Sequence, residues 1–348
     1  MPFTKLPFSF LLALVLIVGP AANLRAATTG GWKLINLDLD GSVSAQRALA
    51  PKIDERKDLT ALQNCARLWT GRKGLKKLRG AIAELREKYP EKWLTFMGSG
   101  DFHQVAAMLI ESLPAQTHPL TVIQIDNHPD WFRAPEHYHC GAWVAQALRH
   151  PWVERVILIG QDSPDLTGYQ FHFVTMKELR NGRAELHPLE RKKSLVPLMW
   201  GGQVKGVDAS HVGLWGTRLD YATVREQGAG ALADRLAARL AGKNVYISID
   251  KDVLDKQSAI TDWDQGRLSI TELQSLIEKI SRTANLVGAD VCGEMAPERI
   301  KGLFKIVDSG RGLHWRKPDW TKVNAVNEQT NLRIVESFER SRGRAGGE

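Results

Sequence analysis

Two short runs, Thr121–Asp126 and Val245–Asp250, are mostly apolar, rich in β-branched residues, and end abruptly in a carboxylate. Apolar runs of this length, without strict alternation, read as strands buried on both faces, as in a parallel sheet covered by helices. The rest of the chain from residue 31 fits around them. Strands are predicted over Trp32–Leu39, Lys92–Met97, Val153–Ile159 and Leu286–Cys292. Helices are predicted near Leu75–Lys88, Asp101–Ser112, Gly141–Arg149 and Asn327–Arg340. Two more are marked by Leu232, Leu236 and Leu240, and by Leu273, Leu276, Ile277 and Ile280. Strands alternating with helices predict an α/β fold: a three-layer α/β/α domain with a mainly parallel central sheet, spanning 31–348. Ser269 with Glu272, and Thr175 with Glu178, have the spacing of capping boxes. Residues 181–210 show no period and are expected to be loops, with Val212–Trp215 a further strand.

The strand ends carry the chemistry. After Thr121–Asp126, the residues Asp126, His128 and Asp130 alternate with Asn127 and Pro129. Alternate residues of an extended segment point to one side, and ligands of open parallel sheets sit beyond the carboxyl ends of the strands. Two carboxylates and an imidazole therefore converge, either as an acidic turn or as a metal site. Three other strand ends are similar: Gly98-Ser-Gly-Asp-Phe-His103, Ser248-Ile-Asp250-Lys-Asp252 and Asp290-Val-Cys-Gly-Glu294. Taken singly, His103 could bond backbone at a helix start, Asp250 and Asp252 could cap a turn, and Glu294 could pair with Arg299. Together they would crowd like charges on one edge at considerable cost. Divalent cations would relieve it, and an oxygen-rich Asp/His set without thiolate suits Mn²⁺ better than structural zinc.

In this order the motifs resemble those of the ureohydrolases, the family of arginase, agmatinase and formiminoglutamase: a Gly-rich turn with His, then DxHxD, SxDxD and a downstream Glu. The resemblance runs from about Trp93 to Pro297. It implies an arginase-like fold and two Mn²⁺ per subunit. His103, Asp126, Asp130 and Asp250 would hold one ion; His128 and Asp252 would hold the other, with Asp126 and Asp250 bridging. It implies hydrolysis of a non-peptide C–N bond in a guanidino- or formimino-type molecule, a linear amidine, by hydroxide held between the metals. Asp130 would accept the nucleophile's proton, His139 would shuttle a proton, and Glu294 would grip a small cationic substrate. Trimers or hexamers are common in the family, so a homo-oligomer is expected. The segment Asp264–Ser269 resembles the family's lead into a helix. Three departures stand out: an extra residue before His103, Lys256 in place of proline after Asp255, and an extra residue between Asp290 and Glu294. Two alternatives are a non-catalytic binder of metal or a guanidino ligand, and a metal-dependent deacetylase on the same fold.

Of the 348 residues, 43% are hydrophobic and 25% charged, which is ordinary for a globular chain. The net charge of +8 is not gathered into a nucleic-acid surface. Its densest cluster, Arg72, Lys73, Lys76, Lys77 and Arg79, is the solvated face of the helix bearing Leu75, Leu78, Ile82 and Leu85, so no nucleic-acid partner is expected. Cys65, Cys140 and Cys292 are scattered and form no disulfide framework. Residues 1–27, with Lys5 before the apolar run Phe8–Val18 and small residues after it, have the form of a signal peptide. They predict export to the periplasm; read instead as an N-terminal extension, they predict a cytoplasmic protein. No later stretch is long and apolar enough to cross a membrane.

Overall fold

The computed structural model describes residues 31–133, 138–297, 300–309 and 318–340. The signal-like segment 1–27 lies outside them, as does Arg299. The central sheet has eight strands: β1 Lys33–Asp38, β2 Glu55–Asp58, β3 Trp93–Phe96, β4 Leu120–Ile125, β5 Val153–Ile159, β6 Ala184–His187, β7 Asn244–Asp250 and β8 Asn285–Cys292. Their order across the sheet is β2-β1-β3-β8-β7-β4-β5-β6, and every neighbouring pair is parallel.

Both faces are covered, as the unbroken apolar runs require. On one face lie α1 Arg72–Lys88, α2 Val105–Glu111 and α3 Trp143–Ala147, whose Leu78, Ile82, Met108 and Val144 pack with Ile35, Leu37, Val122 and Val156 of the sheet. On the other lie α4 Ala229–Arg239, α5 Ile270–Thr283 and α6 Trp320–Arg340, whose Leu236, Leu276, Ile277 and Phe338 meet Ile123, Ile125, Ile247 and Ile249. Within β4, Val122 serves the first face and Ile123 the second, the period-two alternation of a strand. The result is the three-layer α/β/α arrangement with a parallel sheet.

Some local expectations are corrected. Residues 181–210 are not loop throughout: Ala184–His187 joins the sheet edge, and Lys193–Pro197 pairs with Gly216–Asp220 in a separate three-stranded antiparallel sheet completed by Ala209–Gly213. These strands are four or five residues long, too short for a period to emerge. Leu214 and Trp215, expected to end a strand, form the turn between two of them. β2 is written Glu-Arg-Lys-Asp and carries no strand signal; it forms because β1 offers it a parallel edge. Ser269 and Glu272 make the expected capping box. Thr175 and Glu178 do not: the Thr175 hydroxyl donates to the Trp131 carbonyl, and Glu178 binds Arg183. Tertiary partners outcompete the local cap. No described helix is long and apolar enough to cross a membrane.

Candidate metal centre

The four motif-bearing strands, β3, β8, β7 and β4, are consecutive in the sheet although far apart in sequence. Their carboxyl ends therefore bring the Gly98–His103 turn, Cys292, Asp250 with Asp252, and Asp126 to Asp130 to one place. Close approach depends on missing side chains. A Cβ on Gly100 would stand 2.7 Å from Asp250 Oδ2. Gly293, at φ +87°, has a backbone that a side chain would drive into the same carboxylate. Asp40, at the end of β1, holds the turn by accepting from the Ser99 N–H at 3.0 Å.

Two ligand-like triads share Asp126: His103, Asp126 and Asp130, and Asp126, His128 and Asp252. His103 Nδ1 lies 3.2 Å from Asp126 Oδ2, 2.9 Å from Asp130 Oδ2 and 3.7 Å from Asp250 Oδ2. His128 Nδ1 lies 2.8 Å from Asp252 Oδ2 and 3.8 Å from Asp126 Oδ1. The two oxygens of Asp126 thus face different imidazoles. A network behind these groups aims them. His103 Nε2 meets Ser248 Oγ at 2.9 Å, and Ser248 donates to Asp290 at 2.8 Å. Gln124 donates to Asp126 Oδ2 at 2.7 Å, and the Trp143 indole N–H donates to Asp130 Oδ2 at 2.9 Å. Outer hydrogen bonds of this kind fix the rotamer and tautomer of metal-binding side chains. Asp130 is held at φ +45°, a conformation uncommon for non-glycine residues and tolerated by aspartate.

The electrostatics ask for positive charge. Burial, with Asp130 next to it, pushes Asp126 up to about 7. Burial, with Asp252 and Asp126 respectively as neighbours, pushes Asp250 and Asp252 up to about 6. His103 Nδ1 is buried and makes no hydrogen bond, although three carboxylate oxygens approach it. Buried polar atoms are rarely left so. Carboxylates and an orphaned imidazole nitrogen converging without a Lys or Arg among them fit a bound divalent cation.

These groups open into a cavity of about 390 Å³, lined by Asp126, His128, Asp130, His139, Asp165, Asp250, Asp252, Trp263 and Asp308 among others, with no Lys or Arg among the described lining residues. His139 accepts the Gly141 N–H at Nδ1, which leaves the proton on Nε2, 3.0 Å from Asp308. Burial lowers the imidazole's pKa, but Cys140 and Asp308 beside it more than reverse this and hold it above the usual value. Trp263 lines the cavity, Trp131 is core, and Trp143 is core that touches the site.

Five of the six expected ligands, His103, Asp126, His128, Asp130 and Asp252, fall in the two triads. Asp250 faces His103 and Cys292, and no triad pairs it with His128. Glu294 is not brought to the cavity. It is buried against Lys251 and Asn331, the latter donating at 2.7 Å. The strand ends at Cys292, whose thiol meets Asp250, and the left-handed turn at Gly293 carries the glutamate away to Lys251. Asp165, Asp308, Lys251 and Cys292 were not marked by the motifs. Only Cys292 left a signal, two residues after Asp290 on one strand and therefore on the same face.

A sequence model of the arginase family matches residues 209–302, which include Asp250, Asp252 and Glu294 but not His103 or Asp126–Asp130. Among solved structures, a formimidoylglutamase from Bacillus subtilis superposes with a TM-score of 0.51 at 14% identity, covering 87% of this chain and 86% of that one. The chain has an arginase-like fold. An arginase from Medicago truncatula gives 0.51 at 11% identity, covering 89% of this chain and 88% of that one. A hypothetical agmatinase from Burkholderia thailandensis gives 0.50 at 17%, covering 90% and 88%. At such identities the likeness is one of fold. An uncharacterized protein of Thermotoga maritima is 25% identical over 204 residues, and the match spans 59% of this chain and 59% of that relative's length.

Proposed function

We propose that this protein is a binuclear metal-dependent hydrolase of a non-peptide C–N bond in a small guanidino- or formimino-type molecule. The observation that carries the reading is Asp126, whose two oxygens face two separate imidazole-containing triads. Manganese is the ion expected for the nitrogen- and oxygen-only position of Asp126, His128 and Asp252. Two divalent cations, when bound, would supply the Lewis acidity that makes water a nucleophile near neutral pH.

The chain's own residues do the rest. Asp130, fixed by Trp143, stands beside His103 to accept the nucleophile's proton. His139 holds a proton at Nε2 for the leaving amine, and Asp308 orients it. Asp165 and Asp308 add negative charge to a cavity with no Lys or Arg among its described lining residues, which favours a cationic substrate. A gripping role for Glu294 requires the Lys251 pair to open first.

The test is release of urea, ammonia or formamide from a panel of guanidino and formimino compounds with added Mn²⁺. Turnover that disappears in Asp126→Ala supports the reading. Silence across the panel with two metals bound defeats it. One observation favours the alternative of a non-catalytic binder: the internal cation Lys251 already occupies Glu294.

A further inference from the structure

The site was expected to be free of thiolate, yet the fold carries one thiol into it. Cys292 is the last residue of β8 and is almost wholly buried, and its Sγ donates to Asp250 Oδ2 at 3.1 Å. One ligand atom from each of His103, Asp250 and Cys292 falls within 4.8 Å of the others. This is a third triad, joined to the first through His103.

The orphaned nitrogen is the second, independent observation. His103 Nε2 is engaged by Ser248, so Nδ1 is the free ligand atom, and no hydrogen bond reaches it. Oxygens of Asp126, Asp130 and Asp250 stand 3.2, 2.9 and 3.7 Å from it, and the thiol shares a triad with His103 and Asp250. Cys140 differs: it lines the cavity 3.8 Å from His139 Nδ1 but belongs to no such triad among the described residues.

We propose that Cys292 is a thiolate ligand of the cation held by His103 and Asp250, which makes this position a mixed nitrogen, oxygen and sulfur site. The inference rests on the metal-centre reading above. On coordination the thiol gives its proton to solvent and the sulfur lone pair forms the new bond. Thiolate ligands select softer ions such as zinc, while carboxylate-rich positions suit manganese. The two positions of this centre therefore differ in metal preference, with the His128 side the harder of the two.

The experiment is cobalt(II) substitution of the metal-free full chain, read by absorption and by bound-metal analysis. Wild type and Cys140→Ser should both show a near-ultraviolet thiolate-to-cobalt charge-transfer band. Cys292→Ser and Cys292→Ala should lose it, and zinc competition against manganese should weaken in both. Wild type that binds cobalt without the band overturns the proposal and leaves the metal centre standing, as does a Cys292→Ser protein that keeps the band. Wild type that binds no cobalt, zinc or manganese overturns both. The serine variant, which differs by one atom, guards against misfolding of the alanine variant; a folded serine variant without the band supports the ligand role.

Discussion

Lys251 sits between the ligand candidates Asp250 and Asp252 in sequence, yet its ammonium points away from them and pairs with Glu294. Lys251 is fully buried, Glu294 nearly so, and Asn331 of α6 closes the pair by donating to the same carboxylate. A position that a substrate cation was expected to occupy is filled from within the chain.

This pair should behave as a buried ion pair does. Lys251→Met is expected to destabilise the protein by about 3–5 kcal/mol, because Glu294 is left charged and without its cation. The double variant Lys251→Met/Glu294→Leu should recover much of that loss, since apolar replacement of both partners is often neutral. Denaturant titration of the single and double variants measures both. Equal losses in the two would mean that packing, not charge, holds this corner.

Metal binding should be visible as stability. A divalent ion at about 100 times its Kd raises the unfolding free energy by about 2.7 kcal/mol. The gain should vanish in Asp126→Ala, which belongs to both triads, and fall only in part in Asp252→Asn. Thermal unfolding against Mn²⁺ and Zn²⁺ concentration checks this, with bound-metal analysis alongside. Full metal occupancy in Asp126→Ala would remove it as the bridge.

His139→Asn should retain metal and slow turnover by about 10²–10⁴-fold, the usual contribution of a general acid. Asp308→Asn should act through the pH profile. Removing the anion at 3.0 Å destabilises the imidazolium, so the imidazole's pKa falls and the basic limb of kcat against pH moves to lower pH. An unmoved limb would separate Asp308 from the proton path.

Glu185 on β6 sets a pH-dependent contribution to stability away from the site. Burial alone would raise its pKa, but His187 at 2.8 Å and Arg239 at 2.9 Å outweigh it and hold it well below the usual range. Because the folded value is depressed, this stabilisation is present above the unfolded carboxylate's pKa of about 4.3 and is lost as pH falls below it. Glu185→Gln should lower stability at neutral pH and flatten its fall in acid. Chemical unfolding at pH 7 and pH 3 compares the slopes.

Much of this was legible in the chain. Thr121–Asp126 and Val245–Asp250 are continuous apolar runs, and residues buried on both faces of a parallel sheet must be written that way. Asp126, His128, Asp130, Asp250 and Asp252 lie at regular spacing after those runs, so local geometry already aims them. Short strands such as Lys193–Pro197 and the charged edge β2 were not legible, because they owe their form to a neighbouring strand and not to their own pattern.

What only the tertiary structure decided is who meets whom at the sheet edge. Strand order placed β3, β8, β7 and β4 side by side, and periodicity carries no information about order. The turn at Gly293 then settled a choice between Glu294 and Cys292. The strand ends at Cys292 and Gly293 takes a left-handed turn, so the thiol stays with the metal candidates while the glutamate beyond the turn reaches Lys251 and Asn331. The sequence by itself determined the sheet and the acids at its edge, since both follow from local burial and alternation. Which charge neutralises which is a long-range matter, set by contacts between residues tens to hundreds of positions apart.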